Sequence, residues 1–252
     1  MKYKVINILD VPVNNVDYLD LLEAIRINIL NNNKITMTGV NVNTINLANN
    51  LSDFRDNLFQ IDIKHPDGIG VYLASRFLFG KEGLILKITG SDFYNELKKY
   101  SIINNWSFFF FGDEEETLSK ISTVNPELRI KGMQNGYIYE STKLVNDINT
   151  SNPNILLVGL GSPKQENWII NHKSSLNANV IIAVGDGIKM FSGTKKRGPT
   201  VVQSLGLEWV VRLMYEPKRL WKRYLIGNPI FVFKILKMKI ERAIAGTETH
   251  SF

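Results

Sequence analysis

The stretch Asn154-Ile155-Leu156-Leu157-Val158-Gly159-Leu160-Gly161-Ser162-Pro163-Lys164-Gln165-Glu166 joins an apolar run to a helix start through two closely spaced glycines. The run is too short for a typical helix, and glycine bounds it, so it reads as a buried strand. Ser162 suits a helix N-cap, Pro163 the first helical position, and Gln165 the far side of a capping box. Outward from this unit the alternation repeats. Further apolar runs at 3–9, 34–40, 106–111 and 180–184 predict strands, while amphipathic patterns at 16–30, 68–79, 91–103, 113–121 and 162–171 predict helices. Asp113 with Glu116 offers a second helix-start signature. Strand and helix in alternation predict an α/β fold with a mostly parallel, Rossmann-like sheet and helices on both faces.

After Gly193 the pattern changes. Lys195-Lys196-Arg197-Gly198-Pro199 reads as a loop, and helical segments follow at 204–215, 217–225 and 229–245 with no further strand. The expected division is therefore an α/β core at 1–194 and a basic helical appendage at 195–252. Charge divides the same way. Residues 189–252 hold 13 Lys/Arg against 4 Asp/Glu, whereas the preceding residues carry a net charge of −3 within a chain of net +6. A helical surface rich in cations and apolar residues suits an anionic membrane interface or a lipid diphosphate. No RNA- or DNA-binding signature accompanies the charge, so a nucleic-acid partner is not expected.

Composition narrows the chemistry. With 252 residues, 44% of them hydrophobic, the chain suffices for one sizeable core. The absence of cysteine excludes disulfides and thiolate metal sites, and three histidines make a histidine cluster improbable. No Asp-x-Asp pair is present to hold a divalent ion on a sugar diphosphate. No cofactor or metal is expected. The first residues lack a signal-peptide apolar region, and no run approaches the ~18–20 apolar residues of a spanning helix. The expectation is a peripheral protein at the cytoplasmic face of the cell membrane.

In open α/β sheets, ligands sit beyond the carboxyl ends of the strands. Four segments fall there: Asn41-Val42-Asn43-Thr44, His65-Pro66-Asp67-Gly68-Ile69-Gly70, Thr89-Gly90-Ser91-Asp92 (fed by residues 84–88), and the Gly159–Glu166 turn. Glycines let backbone approach a phosphate, and free amides at a helix start favour an anion. The Gly159 turn lacks Gly-Lys-Ser/Thr, and it lacks the third glycine of a dinucleotide fingerprint. Asp67 suits either a cap for the helix after Gly68 or a general base. Asn41 and Gln165 likewise suit caps as well as ligand contacts. Trp209, at helical spacing with Leu205 and Leu213, reads as core packing.

Taken in order, Pro66-Asp67-Gly68-Ile69-Gly70-Val71, Gly90-Ser91-Asp92, Gly159 to Glu166, Gly206-Leu207-Glu208-Trp209 with Arg212-Leu213, Glu216-Pro217-Lys218-Arg219 and Arg223-Tyr224 resemble the WecG/TagA/CpsF family, family 26 of the glycosyltransferases. The resemblance covers residues 34–233. It implies an inverting, metal-independent transferase that moves a hexose or N-acetylhexosamine-type sugar from a nucleotide donor, expected to be UDP, to a polyprenyl-diphosphate-linked acceptor. Teichoic-acid-type or other cell-surface glycans would be the products.

By the same resemblance Asp67 is the catalytic base. Thr38, Asn41, Gly90, Ser91, Gly161, Lys164, Gln165 and Gly185 are donor contacts, and Lys87, Arg212, Arg219 and Arg223 bind the acceptor or its diphosphate. Three positions depart from the family: its threonine before Asn41 is Gly39, an arginine before the Gly90 loop is Lys87, and an aspartate after the last strand is Lys189, with Asp186 three residues earlier. These departures leave open a non-catalytic nucleotide-sugar-binding or membrane-scaffold protein of the same fold. The oligomeric state, a homo-oligomer included, is open as well.

Overall fold

The computed structural model describes residues 3–195, 198, 199, 202 and 206–248. Six parallel strands form the central sheet: β3 (Ile35–Val40), β4 (Ile63–Pro66), β5 (Ser107–Gly112), β6 (Arg129–Gln134), β7 (Ile155–Gly159) and β8 (Val180–Ala183), in the order β4-β3-β8-β7-β5-β6. All six residues of β5 are buried, as expected where helices cover both faces of a parallel sheet.

Alternation along the strands separates two cores. Phe108, Phe110, Leu157 and Ile182 pack on one face against α1 (Tyr18–Leu30), α5 (Gly90–Ile103), α6 (Glu115–Val124) and α9 (Ile188–Phe191). Phe109, Phe111, Leu156 and Ile181 point the other way, onto α7 (Ser141–Ser151) and α8 (Lys164–His172). A third cluster lies beyond the β4 edge. There α2 (Val42–Asn50), α3 (Ser52–Gln60) and α4 (Ile69–Phe79) meet a small hairpin and the long C-terminal helix Asn228–Glu248, which contributes Phe231 and Ile235.

The α/β class, parallel sheet and helical C-terminal region agree with the sequence reading. The differences have local causes. Residues 3–9 hold a strand, β1 (Val5–Ile8), but it pairs antiparallel with the unanticipated β2 (Val11–Asn14), outside the parallel sheet. The turn residues Leu9 and Asp10 both have positive φ, 48° and 63°, as a type I′ hairpin requires, yet neither is the usual Asn-Gly signal. Asn14 then accepts from the Lys64 amide at 2.7 Å and fastens the hairpin to β4. Strand β6 escaped notice because it is an edge strand, with Arg129 and Lys131 in place of an apolar run. Residues 84–88 form no strand, although the Ile88 carbonyl accepts from Gly68 N at 2.8 Å.

Two expected caps are corrected. Helix α8 begins at Lys164 with no side-chain cap, because Ser162 donates instead to Glu166. Helix α6 begins at Glu115, also with no side-chain cap, and Asp113 accepts from the neighbouring Glu114 amide. The expected loop positions Lys196 and Arg197, and the Ser204–Leu205 start of the next helix, lie outside the described residues.

Candidate active site

The β3–β4 ladder continues one residue past the strands, where Asp67 N donates to the Val40 carbonyl at 2.8 Å. That bond sets Asp67 beside Asn41, the N-cap of α2. The Asn41 side-chain oxygen Oδ1 accepts from Thr44 N at 3.1 Å, leaving the amide nitrogen to turn to Asp67, donating from Nδ2 to Oδ2 at 3.0 Å. The other Asp67 oxygen accepts from Gly90 N at 3.4 Å. Asp67 does not cap α4, whose N-cap is Gly68 with φ 82° and no side-chain bond. Gly39 leaves room for this arrangement: a Cβ there would stand 3.0 Å from Asp67 Cβ and 3.2 Å from His65 Cε1.

Burial by itself would raise the Asp67 carboxyl. The Asn41 hydrogen bond and the nearby charges of Arg212 and Lys195 outweigh it and hold the group below the usual carboxylate range. His65, pushed down by its own burial, adds charge beside Asp67 only in acid. Asp67 is thus an ionised acceptor at neutral pH.

Asp67 opens into a cavity of 460 Å³ whose two ends differ in chemistry. Asn41, Lys87, Gly90, Ser91, Arg212 and Arg223 line the polar end, and all six were expected from the sequence. The opposite end is apolar and is built from α4 and the C-terminal helix. Trp209 stands on the cavity wall beside Tyr224, ring centroids 5.6 Å apart, rather than in the core as its spacing suggested.

The remaining expected donor residues form a neighbouring network. Gln165 Oε1 accepts from Gly161 N at 3.2 Å and from Gly185 N at 2.9 Å, tying the ends of β7 and β8 together. Its Nε2 donates to Glu166 Oε1 at 2.9 Å. Glu166, fully buried, also accepts from Thr38 at 3.0 Å and Ser162 at 2.8 Å. Thr38, Gly161, Gln165 and Gly185 therefore brace the loops and do not line the Asp67 cavity, and Lys164 is exposed. Glu166 is the hub that sequence reasoning passed over; a buried carboxylate following a glycine turn was its only signal.

Arg219 is set apart as well. It donates to Asp186 at 3.0 Å and to Glu216, fastening the appendage to the turn after β8. Beside this clasp, a second cavity of 310 Å³ is lined by Asp186, Lys189, Lys195, Arg212 and Glu216. Lys195 was not among the expected site residues. Burial and the Arg212 charge push it down to about 8, against the opposing pull of Asp186, Asp67 and Glu208. Lys189 lies 3.9 Å from Asp113. Arg212 borders both cavities.

Among the described residues no group of three His, Asp or Glu side chains is placed to hold a metal ion, and no helix is long and apolar enough to cross a membrane.

Comparison with known proteins matches residues 6–245 to the model of the glycosyl transferase WecG/TagA/CpsF family. The chain is 30% identical over 241 residues to the N-acetylglucosaminyldiphosphoundecaprenol N-acetyl-beta-D-mannosaminyltransferase of Staphylococcus aureus strain NCTC 8325 / PS 47, covering 93% of each chain. The same identity and coverage hold for the protein of that description from strain MRSA252.

Proposed function

The chain belongs to the WecG/TagA/CpsF family and is a glycosyltransferase, and we propose that it moves an N-acetylhexosamine-type sugar from a UDP donor onto a polyprenyl-diphosphate-linked sugar, with inversion and without a metal. The observation that carries this reading is the Asp67 carboxylate, held by Asn41 at the junction of a polar, cationic cavity end and an apolar one. A lipid-linked sugar diphosphate has that same division. The S. aureus relatives' names give an acceptor and a β-linked product of this kind.

In the proposed step the acceptor hydroxyl oxygen attacks the anomeric carbon as its proton passes to Asp67. The bond from that carbon to the diphosphate breaks in the same displacement, and the nucleoside diphosphate leaves with the electron pair. An α-linked nucleotide sugar then gives a β product, which needs one base and no covalent intermediate. Donor contacts are proposed at Asn41, Gly90 and Ser91, with Thr38, Gly161, Lys164, Gln165 and Gly185 forming or bracing the adjoining loops. Lys87, Arg212 and Arg223 would hold diphosphate charge, and cations already in place need no reorganisation as that charge develops.

With the proposed division into a core at 1–194 and an appendage at 195–252, the basic helices would lie over the acceptor, at the cytoplasmic face of an anionic membrane. The test is a screen of UDP-sugars with a polyprenyl-diphosphate-linked N-acetylglucosamine acceptor, with product mass and released UDP both measured. Donor binding with neither product nor UDP released would favour a non-catalytic binding protein.

A further inference from the structure

The apolar end of the Asp67 cavity has a regular construction. Leu73 and Phe77, four residues apart on α4, form one rail; Val232 and Leu236, four apart on the C-terminal helix, form the other. Residues four apart share a helix face, so each rail runs along its helix for about one turn, ~6 Å. The rails are 55%, 48%, 53% and 47% exposed, whereas Phe231 and Ile235 beneath them are 3% and 5% exposed and belong to the core. Four half-exposed apolar side chains thus face a common channel with a packed floor.

The channel is continuous with the polar end that holds Asp67 and Arg223. At the far side Lys239 lies over the Phe77 ring, 5.6 Å from its centroid, and Arg242 lies 4.4 Å from that of Phe79. Cations therefore frame the apolar channel at both ends. Other apolar residues of the same helix, such as Phe233 (69% exposed) and Ile240 (61%), are not among the cavity-lining side chains. They are available for the bilayer surface itself.

We propose that this channel binds the isoprenyl units nearest the diphosphate of the lipid-linked acceptor, drawing them partly out of the bilayer so that the sugar reaches Asp67. The inference rests on the proposed acceptor class and adds where its chain lies. A diphosphate at Arg212 and Arg223 with its first isoprenyl units between the rails matches the polar-to-apolar order of the cavity. Lys239 and Arg242 would then meet anionic headgroups where the chain returns to the membrane.

The experiment uses the full-length chain and the double variant Leu73→Gln/Leu236→Gln, with Leu73→Met/Leu236→Met as the apolar control. Both sites are half exposed, so the fold should survive, as circular dichroism would confirm. Farnesyl diphosphate is titrated with tryptophan fluorescence as the readout, because Trp209 lines the cavity. Turnover is measured with a polyprenyl-linked acceptor and with the same sugar diphosphate carrying only a methyl group. The Gln variant should bind farnesyl diphosphate about tenfold more weakly, the loss expected from roughly two exposed methylene-sized contacts. It should raise KM for the polyprenyl acceptor without changing kcat on the methyl one, and the Met variant should resemble wild type. Unchanged farnesyl diphosphate affinity, or equal losses on both acceptors, would overturn the channel. Lost vesicle binding with unchanged farnesyl diphosphate affinity would overturn it too, making the rails a membrane contact. Farnesyl diphosphate binding that depends on the rails, with no turnover of either acceptor by wild type, would sink the proposed reaction and leave the channel standing.

Discussion

Asn41 and Asp67 meet at 3.0 Å across the carboxyl ends of two neighbouring strands, although 26 residues separate them in the chain. One amide side chain does two tasks. Its oxygen caps a helix and its nitrogen orients a carboxylate, so the position of the proposed base is tied to the start of α2.

Replacing Asp67 with asparagine should lower kcat by ~10²-fold or more, the loss expected when a positioned general base is removed. Donor affinity, measured by calorimetry, should change little. A variant that retains more than about a tenth of the wild-type rate would exclude Asp67 as the base.

Asn41→Ala should act on two observables at once. Loss of the cap should cost about 1 kcal/mol of stability. Loss of the Nδ2 bond should let the Asp67 pKa rise towards its ordinary value, moving the acid limb of kcat/KM to higher pH. A lowered Tm with an unmoved acid limb would make Asn41 a cap only.

The wild-type pH profile has a sign at each end. Asp67 is held below its ordinary range, so it stays ionised as pH falls and its acid limb should lie below about pH 4. Lys195 is pushed down to about 8, so its charge is present at neutral pH and lost as pH rises through that value. If that charge assists a diphosphate, kcat/KM should fall above about pH 8, and Lys195→Met should flatten the alkaline limb while lowering the plateau. An identical alkaline limb in the variant would assign it to another group.

Arg212 and Arg223 line the cavity, whereas Arg219 is clasped to Asp186 and Glu216. Arg212→Ala/Arg223→Ala should therefore reduce turnover far more than Arg219→Ala. The Arg219 side chain is 51% exposed, so its ion pairs should contribute only ~0–1 kcal/mol to stability. Equal kinetic losses would place Arg219 on a substrate as well. Activity should also withstand EDTA, the charge being met by these cations; loss on chelation, restored by magnesium or manganese, would contradict a metal-free step.

Phe231→Ala should destabilise the protein by about 3–5 kcal/mol, the usual cost for a buried phenylalanine. Phe231 packs with Val40, Ile45 and Val71 of the core. Every described strand precedes residue 195, so a chain cut there would keep the described sheet but lose Phe231 and Ile235 from this cluster. Exposure of this cluster should make the truncated form prone to aggregation, measurable by light scattering during thermal unfolding.

The parallel sheet was legible because its inner strands are continuous apolar runs, as in Phe108–Phe111 and Ile155–Val158. Asp67, Asn41 and the appendage arginines were legible only through their order and spacing as family motifs. What stayed hidden depended on side-chain direction. Gln165 and Glu166 carry groups as capable of ligand binding as those of Asn41, yet neighbouring loops engage both Gln165 polar atoms and Glu166 Oε1. Lys195 is lowered by burial and by the Arg212 charge, against the pull of Asp186, Asp67 and Glu208, surroundings that only the fold supplies. The two rails are four apolar residues that no pattern distinguishes from those beside them.

The Asn228–Glu248 helix that completes the Asp67 cavity follows every described strand in the chain. During synthesis the sheet can therefore fold, with Asp67 and Asn41 already paired, while the opposite wall is still inside the ribosome. A nascent chain at that stage has the proposed base but no enclosed cavity beside it, so activity should appear only once translation has passed the last wall residue. The order of the elements would then act as a timer, keeping a half-made enzyme from engaging its substrates.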